Sequence, residues 1–85
     1  MGPAMHNRYL SERYLLDVIG MNLLKCLRDR QLTQKKFAAL LGVCDDQVSR
    51  WITGKNAPSP KMTIEICKVL NVSPGYLWTD HFLAM

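Results

Sequence analysis

In this chain of 85 residues, the run Thr33 to Gly54, T-Q-K-K-F-A-A-L-L-G-V-C-D-D-Q-V-S-R-W-I-T-G, constrains the fold most. Thr33 is an N-cap residue whose hydroxyl can accept an orphan backbone N–H. Phe37, Ala38, Leu40 and Leu41 follow at helical spacing, and Gly42 stands where a helix can end in the left-handed conformation. A second short helix comes next, with Val48, Trp51 and Ile52 apolar and Asp45, Asp46, Gln47, Ser49 and Arg50 polar. Gly54 closes it in the same way. The pattern predicts helices over about 34–41 and 45–52.

Two short helices joined by a tight, glycine-containing turn are the signature of a helix-turn-helix, here residues 33–54. Gln34, Ala38, Gly42, Val43, Val48, Ser49, Arg50, Trp51 and Gly54 resemble the Cro/repressor-type (xenobiotic-response-element type) helix-turn-helix family position by position. The likeness extends through Ile19-Gly20, Asn22, Leu23, Leu27-Arg28 and Leu32 on one side. On the other it takes in Pro58-Ser59, Ile66, Lys68, Leu70, Val72-Ser73 and Leu77. It covers residues 19 to about 79. The resemblance implies a lambda-repressor-like DNA-binding fold and a phage or bacterial transcription regulator.

The flanking sequence is read from its own periodicity. Leu16, Ile19, Leu23 and Leu27 form one stripe at intervals of three and four, predicting a first helix from Ser11 to about Arg30. Gly20 interrupts that stripe at a cost of about 1 kcal/mol. Relatives begin near Ile19, so residues 8–18 look like an extension. Its Tyr9, Leu10, Tyr14, Leu15 and Val18 are more apolar than a solvated arm requires: either they pack on the monomer or, the preferred reading, they bury against a second subunit. Residues 1–7 are expected to be mobile, leaving 8–85 as a single domain.

After Gly54 the stretch Thr53-Gly54-Lys55-Asn56-Ala57-Pro58-Ser59-Pro60 is rich in turn formers. Ser59 can cap the next helix with Pro60 at its first position, and Met62, Ile66, Val69 and Leu70 supply its inner face. Ser73-Pro74 repeats that start for a last short helix containing Tyr76, Leu77 and Trp78. The expected fold is all-α: a compact five-helix bundle with an N-terminal helical extension. The apolar tail Phe82-Leu83-Ala84-Met85 again suggests an interface.

Composition bounds the function. A hydrophobic content of 48% and no apolar run near the roughly 18 residues of a membrane span exclude an integral membrane protein of helical type. Met1 to His6 lacks the apolar centre of a signal peptide, so a cytoplasmic location, in a bacterial or phage-infected bacterial cell, is expected. The net charge of +4 permits nucleic-acid binding. Cys26, Cys44 and Cys67 are odd in number and lack C-x-x-C spacing, so they read as reduced thiols without a disulfide framework or zinc site. His6 and His81 have no carboxylate or cysteine partner at catalytic spacing, and no glycine-rich phosphate loop exists. The chain reads as a non-enzyme without cofactor or metal.

In a helix-turn-helix the second helix lies in the major groove with its N-terminal residues at base edges. The base-reading candidates are therefore Asp45, Asp46, Gln47 and Arg50. Gln47 suits adenine, and Arg50 suits guanine or a phosphate. The aspartates depart from the neutral or basic residues of many relatives. They either accept from cytosine N4–H or stabilise the helix start through its dipole, by roughly 0.3–1 kcal/mol each, beside a poor cap at Cys44. DNA-backbone candidates are Gln34, Ser49, Thr53, Lys55, Asn56 and Lys61, with Lys35 and Lys36 within reach or simply solvated. The resemblance assigns Gln34 a phosphate contact and a brace to Asp45. Val48 and Trp51 read as inner-face residues, and Gly42 and Gly54 as backbone requirements. The expected partner is double-stranded DNA, bound by a homodimer. The alternative is a protein-interaction module on the same fold, antitoxin-like, with a protein partner and weak DNA recognition.

Overall fold

A computed structural model describes the backbone of residues 2–79 and the side chains of residues 13–79. His81 and the tail Phe82–Met85 lie outside the described residues, as do the side chains of His6, Tyr9 and Leu10. The helices are α1 (Gly2–Asp29), α2 (Gln34–Leu41), α3 (Asp45–Ile52) and α4 (Pro60–Leu70), followed by a 3-10 turn at Tyr76–Trp78. α2 and α3 occupy the expected positions. α1 starts earlier than expected, at Gly2, with Pro3 in its first turn, where a missing N–H costs nothing.

The fifth helix is a correction. Instead of an α-helix after Ser73-Pro74 there is a three-residue 3-10 turn, so the described residues form four α-helices rather than five. Its bonds run three residues back, from the Trp78 N–H to the Gly75 carbonyl (3.2 Å) and from the Thr79 N–H to the Tyr76 carbonyl (3.3 Å). A donor from α1 also meets carbonyls of this segment. The side-chain amide of Asn22 in α1 points its nitrogen at the Thr79 (2.8 Å), Leu77 (3.0 Å) and Tyr76 (3.3 Å) oxygens. Carbonyls only accept, so the Asn22 nitrogen rather than its oxygen must face them. Asn22 is itself fully buried, and this clasp holds the end of the domain to α1.

The core is one cluster. Leu23, Cys26 and Leu27 of α1 meet Phe37 and Ala38 of α2, Val48 and Trp51 of α3, Ile66, Cys67 and Leu70 of α4, and Leu77. Each fully buried large side chain contributes roughly 1.5–3 kcal/mol through removal from water. Burial also raises the Cys26 and Cys67 thiols above their ordinary value of 9.0. Both stay protonated and behave as small apolar groups.

Every helix ends alike. Gln31, Gly42, Gly54 and Asn71 adopt positive φ of 55°, 77°, 78° and 59°. In each case the next residue's N–H bonds five residues back, as from Leu32 to Leu27 (2.9 Å), Val43 to Ala38 (3.0 Å), Lys55 to Arg50 (2.9 Å) and Val72 to Cys67 (3.0 Å). These are Schellman-type ends, which satisfy carbonyls the helix leaves open.

Candidate nucleic-acid interface

α2 and α3 are set by three local devices. The Thr33 hydroxyl accepts the Lys36 N–H at 3.0 Å and starts α2. Gly42 turns the chain through φ 77°, and a Cβ there would meet nothing within 4 Å, so conformation alone selects glycine. Cys44 then precedes α3 without a side-chain cap bond. Asp45 and Asp46 stand in the uncapped first turn, where negative charge complements the helix dipole.

α3 docks by its inner face. Val48 is fully buried and Trp51 is 2% exposed, which makes Trp51 a core residue and removes it from base stacking. Asp45, Asp46 and Arg50 stand exposed on the opposite side, with Gln47 and Ser49 half-buried between them. Arg50 is already engaged: its Nε lies 3.2 Å from Asp46 Oδ2, one turn back along the helix. Both groups are solvated, so the pair contributes no more than about 0.5 kcal/mol. It nevertheless holds the guanidinium beside Asp46 through Nε.

The other sequence-predicted residues lie on α2, on α3 itself, in the loop after it and at the start of α4. Gln34 is exposed at the first position of α2, and no hydrogen bond joins it to Asp45. Thr53 donates its N–H (2.9 Å) and its hydroxyl (2.8 Å) to the Ser49 carbonyl, so both of its donors are committed inside the protein. Lys55 and Asn56 are exposed in the loop after α3, and Lys61 is exposed in the first turn of α4. There Ser59 accepts the Met62 N–H through its hydroxyl (3.1 Å) and the Thr63 N–H through its carbonyl (2.8 Å). Pro60 has no N–H, which leaves the Lys61 amide as the open donor of that turn.

Charge distribution sharpens the picture. Arg13, Lys25, Arg50 and Lys68 lie in ion pairs with carboxylates three or four residues along their own helices. The Asp29 hydrogen bond, with its charge, raises the Lys25 ammonium above its ordinary value. Among the described residues Lys35, Lys36, Lys55 and Lys61 have no carboxylate partner. Lys35 and Lys36 lie in the first turn of α2, Lys55 in the loop after α3 and Lys61 in the first turn of α4, while Arg28 and Arg30 at the end of α1 also lack a carboxylate partner among the described residues.

Arg13 was not singled out from the sequence, and Asn22 was named only within the family resemblance. Arg13 carries no local signal. Asn22 does, as a polar residue between Val18, Ile19 and Cys26 on the buried face of α1.

A helix-turn-helix family model matches residues 23–77, about two thirds of the chain. The chain belongs to the Cro/C1-type helix-turn-helix family. No curated protein and no solved structure gives a significant match. The family match begins after the first three quarters of α1, so Arg13, Gly20 and Asn22 lie N-terminal to it.

Proposed function

We propose that this helix-turn-helix protein is a sequence-specific double-stranded DNA-binding transcription regulator, acting as a repressor, with α3 in the major groove. The observation that supports it is the two-sided character of α3. Its apolar face is locked into the core, while Asp45, Asp46 and Arg50 stand in solvent, framed by unpaired lysines on neighbouring segments. In this reading Arg50 presents its free Nη edge to guanine, Gln47 pairs with adenine, and Asp45 accepts from cytosine. Lys55, Asn56, Lys61, Gln34 and Ser49 hold phosphates, and Thr53 reaches the backbone only by releasing its bonds to the Ser49 carbonyl. The protein binds as a homodimer with half-sites roughly 34 Å apart.

Selection from a pool of randomised duplexes, repeated with Arg50→Ala and Lys55→Ala at several salt concentrations, tests this. A two-fold symmetric site should emerge. Arg50→Ala should cost about 1–3 kcal/mol and relax one position, while Lys55→Ala should weaken all duplexes and reduce the salt slope by about one. Absence of any enriched site, with residual binding lost near physiological salt, would falsify the reading.

A second reading rests on the exposed apolar residues of α1. Tyr14, Leu15 and Met21 are 43%, 40% and 48% exposed, and suit a protein partner or a second copy of the chain. An antitoxin-like module would combine this surface with weak DNA recognition, and sedimentation of the purified protein distinguishes a homodimer from a monomer awaiting a partner.

A further inference from the structure

We infer that Arg13 is a positioning residue for the phosphate-contacting loop, an inference that rests on the DNA-binding reading above. Its Nη1 donates to the Gly54 carbonyl at 3.2 Å, across 41 residues of chain. Its Nη2 lies 3.4 Å from Asp17 Oδ1, one turn along α1. Asp17 Oδ1 in turn sits 3.0 Å from where a Cβ on Gly54 would stand. The first part of α1 therefore grips the turn that ends the reading helix.

The consequence follows from peptide geometry. The Gly54 carbonyl and the Lys55 N–H belong to one planar group. Arg13 holds the oxygen end from α1, while the Arg50 carbonyl accepts the Lys55 N–H at 2.9 Å from α3. A plane pinned at both ends cannot rotate, so the direction in which Lys55 and Asn56 leave α3 is fixed. Without Arg13 only the inner bond remains. Arg13 acts on the interface through this plane and not as a base reader.

Binding is measured with a selected duplex and a random duplex across a salt titration, using the wild type, Arg13→Ala, Arg13→Lys, Lys55→Ala and the Arg13→Ala/Lys55→Ala double variant. Thermal melts of each run alongside. Arg13→Ala should weaken both duplexes several-fold and reduce the salt slope by about one, because an unaimed Lys55 no longer displaces a counterion. Lys55→Ala, costly in the wild type, should then add little. Lys at position 13 keeps the charge but lacks the planar fork that spans Gly54 and Asp17, and should not restore binding. Additive losses with full rescue by Lys would overturn the inference, showing that Arg13 supplies charge alone. Loss with Lys55→Ala but none with Arg13→Ala would overturn it while leaving the DNA-binding reading intact. With Arg50→Ala added as a control, binding left unchanged by Arg50→Ala, Lys55→Ala and Arg13→Ala alike would mean that the DNA-binding reading itself fails.

Discussion

Gly20 and Ile52 meet backbone to backbone, where α1 crosses the C-terminal end of α3. A Cβ added to Gly20 would lie 2.9 Å from the Trp51 carbonyl oxygen and closer still to that of Ile52. The glycine that weakens α1 by propensity is what lets α3 seat against it. Gly20→Ala should therefore destabilise by about 1–3 kcal/mol through overpacking, despite a gain of about 1 kcal/mol in helix propensity. The expected drop in melting temperature is roughly 4–8 °C per kcal/mol for a domain of this size. A melt at or above that of the wild type would show that the crossing is not tight.

Asn22→Ala removes the donor shared by the Tyr76, Leu77 and Thr79 carbonyls. Leaving buried acceptors open costs about 1–3 kcal/mol. Hydrogen exchange should show the loss at residues 76–79 first, with α2 and α3 retaining protection. Uniform loss across the domain would mean that Asn22 supports the whole core rather than its terminal turn.

Gln31→Gly tests the end of α1. A non-glycine residue in the left-handed region is disfavoured by roughly 1–2 kcal/mol, and Gln31 stands at φ 55°. Glycine gives part of this back in chain entropy, so the variant should gain about 0.5–1 kcal/mol in denaturant unfolding. Asn71→Gly should change stability less, since asparagine tolerates this conformation.

Asp46→Ala separates the two roles of the acidic turn. Loss of the Arg50 pair and the dipole complement should lower stability by about 0.5–1 kcal/mol. In the proposed DNA-binding mode, removing this exposed carboxylate should at the same time strengthen binding to random duplexes, measured by anisotropy at fixed salt. Weaker random binding would mean that the Arg50 restraint outweighs repulsion.

Cys44 is exposed, whereas Cys26 and Cys67 are buried. A maleimide should label Cys44 at once and the other two only on unfolding. Since burial raises both inner thiols above 9.0, they remain protonated in the folded state at a pH where the unfolded chain ionises. The unfolded state then binds fewer protons, so this contribution to stability is present below about pH 9 and declines above it. Urea midpoints compared at neutral pH and near pH 10 check the sign.

Local chemistry alone determined α2, α3 and α4. Thr33, Gly42, Ser59-Pro60 and the apolar spacing of Phe37, Val48 and Ile66 act within a few residues, through caps, φ preferences and helical periodicity. They also made the outward face of α3 legible as Asp45, Asp46 and Arg50. Tertiary structure decided what depends on residues far apart in sequence. The last expected helix is a 3-10 turn, and its Tyr76, Leu77 and Thr79 carbonyls are held by Asn22, more than 50 residues away. Gly20 became a crossing point, and Arg13 a clasp on Gly54, because α1 lies across the end of α3. No local pattern encodes such contacts: a side chain's preferred conformation is set by its neighbours in sequence, but its hydrogen-bond partner is set by whichever backbone the folded core brings beside it.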